Sequence, residues 1–167
     1  TAVTCVSVSC THRAVACTQT GHVFVWGTAP NSKAGAAHVL GEMRKEQATE
    51  STVGVMFHPE RLYGLQNVVA VAAGGLQTLA MDRSGKLWSW GLVARIYEAD
   101  INARLSPAKE TFLDDVVDVR AGYLQNIAWT IQGQAWAWGI AISGSLDQGG
   151  GIKMVAPDMV EKIQCGC

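Results

Sequence analysis

The sequence is short of charge. Asp, Glu, Lys and Arg make up 16% of its 167 residues, and 13 Lys and Arg against 14 Asp and Glu leave a formal net charge of −1. Without a basic excess there is no general footprint for nucleic acid, whose phosphates are held by clustered Lys and Arg. Arg44-Lys45 is the one adjacent basic pair and reads as solvated surface. No run of about 18 apolar residues occurs, so no membrane-spanning helix is expected. Catalytic signatures are equally scarce. There is no Gly-x-Ser-x-Gly elbow. Gly149-Gly150-Gly151-Ile152-Lys153 lacks the Gly-Lys-Ser/Thr of a phosphate loop and reads as a loop. His12, His22, His38 and His58 stand singly. Asp114-Asp115, read as neighbours in a strand, point to opposite faces and cannot share a proton.

The five cysteines, Cys5, Cys10, Cys17, Cys165 and Cys167, lack framework spacing, which favours a reducing, intracellular setting. Cys10 with His12 and Cys17, or Cys165 with Cys167, could suggest a metal. Neither set has the paired spacing of structural zinc, so the cysteines read as small buried thiols. No catalytic, cofactor-binding or metal-ligating residue is assigned, and no cofactor is expected.

What the sequence does have is a recurring phrase. Val23-Phe24-Val25-Trp26-Gly27, Leu87-Trp88-Ser89-Trp90-Gly91 and Ala135-Trp136-Ala137-Trp138-Gly139 each place an aromatic two residues before Trp-Gly. Six residues before that Gly stand Gly21, Gly85 and Gly133, and eleven before it Ala16, Ala80 and Ala128. Self-similarity in fixed phase marks a repeat architecture. Val68 to Gly74 matches Val116 to Gly122, and the pattern restarts at Val160 to Gly166. The stretch counted from Thr4 is a weaker first copy, with Cys10 where the others have Gly. The chain therefore reads as a single repeat domain over 1–167, with repeats at 4–67, 68–115 and 116–159, the start of another at 160–167, and an insertion at 28–57.

Each unit reads as short strands. Val69 to Ala72 and Val117 to Val119 have buried-strand character, and Thr78 to Met81 and Asn126 to Trp129 follow. Asp82 to Gly85 and Thr130 to Gly133 make four-residue turns in which Gly supplies a positive φ. In the next strand Trp88 and Trp90 share a face, with a small residue between them, and pack a bulky layer on a neighbouring sheet. Periodic aromatics of this kind are core rather than a ligand box. Pro59, Pro107 and Pro157 are expected to close exposed turns before each new unit. Ala36 to Glu50, rich in Ala, Glu, Lys and Met, is the one stretch that could form a helix.

Val160-x-x-Ile163-x-Cys165-Gly166, Val69-x-Val71-x-Ala73-Gly74, Leu87-Trp88-Ser89-Trp90-Gly91, Pro59-x-x-Leu62-x-x-Leu65 and Gly144-Ser145-Leu146-Asp147-Gln148-Gly149 together resemble the regulator of chromosome condensation repeat. The resemblance implies an all-β fold, a β-propeller of four-stranded blades. About three units fall short of the 4–8 blades that close a ring, so a partial propeller or a segment of a larger one is expected. Where the family has His in its Gly-x-x-His-Thr stretch, this chain has Arg13, Gln77 and Gln125. The loops after Trp26-Gly27 and Trp90-Gly91 also lack the family's polar and glycine signature.

Two functions follow as expectations. The first is a non-enzymatic scaffold that presents loops to protein partners, the 28–57 insertion foremost, within a larger protein or complex. The second, implied by the resemblance alone, is guanine-nucleotide exchange on a Ran-like small GTPase with chromatin association. Neither direct nucleic-acid binding nor membrane insertion is expected.

Overall fold

The structure, a computed structural model, describes residues 2–10, 13–28, 55–94, 101–123, 125–139 and 153–155. Among these residues twelve strands are formed and no helix. They are β1 (Val3–Val8), β2 (Arg13–Thr18), β3 (Val23–Thr28), β4 (Val55–Leu62), β5 (Val68–Ala73), β6 (Gln77–Asp82), β7 (Leu87–Ala94), β8 (Ile101–Lys109), β9 (Val116–Ala121), β10 (Gln125–Thr130), β11 (Ala135–Gly139) and β12 (Lys153–Val155). They form three four-stranded sheets in chain order, β1 to β4, β5 to β8 and β9 to β12, and every neighbouring pair is antiparallel. The architecture is all-β, an open arc of three propeller blades.

Register explains the phase of the repeat. Ala16 lies opposite Phe24, Ala80 opposite Trp88 and Ala128 opposite Trp136. The recurring Ala is the small cross-strand partner that makes room for the first aromatic of each pair. Each hairpin closes the same way. The amides of Thr18, Asp82 and Thr130 donate to the carbonyls of His22, Lys86 and Gln134, each at 3.0 Å. Gly21, Gly85 and Gly133 sit at φ +77, +75 and +76, a region open to glycine at little cost. The Gly of each Trp-Gly phrase is also left-handed: Gly27, Gly91 and Gly139 have φ of 112, 94 and 123.

In the first two blades that glycine adjoins an irregularity with the outermost strand. Pairing skips from Val25–Glu60 to Gly27–Met56, and from Ser89–Ala108 to Gly91–Arg104. Pro59 and Pro107 fall in the two skipped stretches. They therefore lie within edge strands β4 and β8, and not in the turns expected for them. A bulge on an edge strand needs no N–H from its proline. β3 is described to Thr28 and β4 from Val55, and residues 29–54 of the 28–57 insertion lie outside the described residues. The stretch 36–50, the glycines and serine of 144–151, Pro157 and the 160–167 restart lie outside the described residues.

The register also moves the start of the first repeat. Val3 faces Thr18 as Val68 faces Asp82 and Val116 faces Thr130, with a bulge immediately after each. Val3, and not Thr4, is thus the counterpart of Val68. Ser9, and not Cys10, takes the place of Gly74 and Gly122: the three amides donate to Arg13, Gln77 and Gln125 carbonyls at 2.8, 2.8 and 2.7 Å. One additional residue in the turn from Ser9 to Arg13 hid this alignment.

The core is not inside a blade but between blades. One apolar cluster joins Val15, Cys17, Val23 and Val25 to Val71, Ala80 and Trp90 across the first seam. A second joins Leu79, Met81 and Leu87 to Val116, Val119, Ala128 and Trp138 across the next. Trp88 and Trp136 pack on the same sides as Trp90 and Trp138, as their spacing requires. Phe112 meets Trp138 edge to face, with ring centroids 5.4 Å apart. Leu62 and Leu65 are both buried in the first seam. On the outer side of the first blade, Val3, Val6 and Val8 are 61, 59 and 68% exposed, whereas their counterparts Val68, Val71 and Ala73 are buried against the preceding blade.

Candidate functional site

Chain direction divides the arc into two rims. The β1–β2, β5–β6 and β9–β10 turns, and the two ends of the β3–β4 connection, share one rim. The hairpins at Gly21, Gly85 and Gly133 share the other with the interblade connections.

On the first rim a polar clamp recurs at each described seam. Arg13 opens β2 and is buried. Its Nη1 donates to Thr78 Oγ1 at 3.0 Å, and its Nη2 to the carbonyls of Gly74 and of Gln77, the latter at 3.2 Å. Burial pushes the guanidinium down to about 10, which leaves it charged at neutral pH. Gln77 opens β6 and does the same one blade on. Its Nε2 donates to the carbonyls of Gly122 at 3.2 Å and Gln125 at 3.4 Å. Next to it Asn126 is buried; turned so that its nitrogen donates to the Gln125 carbonyl (3.2 Å), its oxygen accepts from Trp138 Nε1 at 3.3 Å. Ser89, between the Trp pair, donates its hydroxyl to the buried Glu110. Arg13 and Gln77, singled out in the sequence only as departures from a family histidine, are thus seam-binding side chains. Their shared position, one turn after the Val-x-Val strand, is the signal that links them.

On the second rim the seams are made by backbone. The Gly21 carbonyl accepts from Val68 N at 3.2 Å and the Gly85 carbonyl from Val116 N at 2.9 Å. Asn67 and Asp115, just before those valines, are left-handed at φ 56 and 58, a conformation that Asn and Asp tolerate better than other side chains. Asp114 and Asp115 fall between β8 and β9, outside any strand; Asp114 pairs with Lys109 at 3.5 Å, and Asp115 Oδ2 accepts from Gln132 Nε2 at 3.3 Å. The two carboxylates engage different partners, and the strand alternation expected of them does not apply. Asp82 Oδ1 accepts from Ser84 N (2.9 Å), Ser84 Oγ (2.6 Å) and Lys86 N (3.2 Å), and Oδ2 accepts from Trp88 Nε1 (3.1 Å). Burial alone would raise its pKa; these bonds outweigh that and hold the carboxyl below its usual range. Thr18 and Thr130 take the same place in their hairpins, accepting from His22 N at 3.2 Å and Gln134 N at 3.3 Å. Beside Asp82, an open cleft of about 600 Å³ is lined by Gly64, Asn67, Arg83, Lys86 and Trp88. With the Asp82 oxygens committed to the turn, its free charges are Arg83 and Lys86, an arrangement for surface contact.

Of the histidines, His22 is half-buried in its hairpin with Nδ1 3.3 Å from Thr20 Oγ1, and His58 is exposed on β4. His12, His38, Cys165 and Cys167 lie outside the described residues, as does the Arg44-Lys45 pair. Cys10 is exposed, Cys17 buried and Cys5 intermediate. Among the described residues no three His, Cys, Asp or Glu side chains converge as a metal site would require, and no helix is long and apolar enough to cross a membrane.

No protein-family model matches the chain. A stretch of 69 residues, 41% of the chain, is 35% identical to protein RCC1 of Candida albicans, of which it covers 14%. Among solved structures, human WBSCR16 superposes over 95% of this chain and 39% of its own, with a TM-score of 0.70 and 19% identity. Prp20p of Saccharomyces cerevisiae, described with its binding properties to Gsp1p and histones, superposes over 87% of this chain and 36% of its own, at TM-score 0.60 and 21% identity. Yeast RCC1 (Prp20) bound to Kap60 gives 0.59 and 22%, over 82% of this chain and 31% of its own. The chain thus spans under two fifths of each of these proteins. The chain has the blade architecture of regulator of chromosome condensation propellers, and a part of it resembles a fungal RCC1.

Proposed function

We propose that the chain is a non-enzymatic interaction scaffold, part of a propeller that presents its rims to protein partners. One observation carries this reading: the buried polar side chains Arg13 and Gln77 are spent on holding blades together at one rim, while Asp82 is saturated within its own hairpin. A framework so fastened leaves recognition to the connections, as in other repeat folds. The 28–57 insertion, which joins β3 to β4 at the clamped rim, is the foremost contact segment; the Arg83 and Lys86 cleft serves the opposite rim. An intracellular, reducing setting belongs to the same reading. Deleting 36–50 tests it: blade stability is retained and partner binding is lost. Unfolding of the deleted chain would make the segment part of the packing instead.

Guanine-nucleotide exchange on a Ran-like small GTPase is the second reading. It is favoured by the Candida RCC1 likeness and by the Gsp1p and histone binding named for Prp20p. A nucleotide-release assay separates the two.

A further inference from the structure

Cys5 on β1 and Cys17 on β2 are direct cross-strand partners. The Ser9 amide donates to the Arg13 carbonyl at 2.8 Å, and the ladder runs unbroken from there to Cys5. Because hydrogen-bonded and non-bonded pairs alternate, Cys5–Cys17 falls on a hydrogen-bonded pair, with Cα atoms about 5.5 Å apart. Disulfides span Cα separations of about 4.4–6.8 Å. Directly opposed residues also project from the same face. The bulge immediately before Cys5 gives β1 slack to draw the two Cβ atoms together. Both residues are free thiols, Cys17 wholly buried and Cys5 partly open to solvent.

We propose that Cys5 and Cys17 form a reversible dithiol–disulfide pair within the first blade, oxidised by peroxide with Cys5 as the attacking and Cys17 as the resolving sulfur. The environment fits the roles. A hydrogen bond from Cys17 holds the Cys5 thiol well below its usual range, and the same bond, with burial, pushes Cys17 up. In the first step the Cys5 thiolate attacks the O–O bond. An S–O bond forms, hydroxide leaves, and Cys5 becomes a sulfenic acid. Cys17 sulfur then displaces that hydroxyl; the S–S bond forms, the S–O bond breaks, and the Cys17 proton departs with the hydroxide as water. Two thiols are oxidised and one hydrogen peroxide is reduced to two waters. The bridge pulls Cys5 Sγ from the Val71 carbonyl of the second blade, now 3.8 Å away, and therefore acts on the first seam. A bridge bent between adjacent strands is strained and readily reduced, as labile disulfides are.

The test treats the full chain carrying Cys10→Ser with hydrogen peroxide and maps it without reductant. Trypsin cuts after Arg13 and Lys33, placing Cys5 and Cys17 in different peptides. The expected result is a linked peptide pair that dithiothreitol separates, formed about tenfold faster in the folded chain than in urea, where the pair is not held together. In the chain carrying Cys10→Ser and Cys17→Ser, Cys5 stops at the sulfenic acid and is captured by dimedone. Absence of the linked pair in folded protein, or equal rates folded and unfolded, overturns the proposal. Should Cys10→Ser perturb folding, fragmentation of the linked peptides from the unsubstituted chain decides between a Cys5–Cys17 and a Cys10–Cys17 bridge; the latter also overturns it.

Discussion

Arg13 of the first blade and Thr78 of the second are joined across their seam by a 3.0 Å hydrogen bond between guanidinium Nη1 and hydroxyl. The same guanidinium also bonds two carbonyls of the second blade, so one side chain fastens the seam at three points. Arg13→Ala leaves those buried acceptors without this donor and is expected to cost about 2–4 kcal/mol. Arg13→Lys recovers only part, because an ammonium cannot reproduce the planar fork. Urea unfolding of both variants, with a double-mutant cycle against Thr78→Ala, checks this; additivity would contradict the clamp.

Gly21→Ala and Gly85→Ala are expected to differ, although both sit in the same turn at nearly the same φ. A Cβ on Gly21 would lie 2.5 Å from Asn67 Cα, whereas one on Gly85 would meet Asp115 Cα at 3.1 Å. Left-handed backbone alone costs an alanine about 1–2 kcal/mol. Gly85→Ala is expected near that figure and Gly21→Ala well above it, with the excess read as a lower unfolding midpoint. Equal losses would show that the approach of Asn67 is not limiting.

Trp90 is fully buried, and its Nε1 has no hydrogen-bond partner among the described residues. Trp90→Ala is expected to cost about 3–5 kcal/mol as a core truncation. Trp90→Phe removes packing without breaking a hydrogen bond and should cost clearly less. Thermal unfolding of the two variants distinguishes packing from polar contributions.

Asp82 gives the stability a defined acid limb. Its folded-state pKa is held below the unfolded carboxylate value of about 3.9. Its contribution is therefore complete above that value and is lost as pH falls through the lower, folded value. Asp82→Asn should lower stability at neutral pH and flatten its decline in acid. An unchanged acid slope would contradict the assignment.

The parts of the fold written in local spacing were legible. Ala80 and Trp88 are eight residues apart because a four-residue turn brings them face to face, and Gly85 in that turn has the positive φ read for it. The parts that depend on another blade were not. Arg13 was visible as an oddity, but its role requires Gly74, Gln77 and Thr78, more than sixty residues on. The fourth strands escaped because Pro59 and Pro107 look like turn residues until a bulge on an edge strand accommodates them. Cys5 and Cys17 looked like ordinary buried thiols because the extra residue between Ser9 and Arg13 shifted the apparent register of β1.

The reading of the chain as a scaffold is tested most directly by release of a fluorescent guanine nucleotide from a Ran-like small GTPase, measured with and without the full chain. The account predicts the same release rate in both. Accelerated release with the chain present would contradict it; loss of that acceleration on deleting 36–50 would make the segment part of an exchange site.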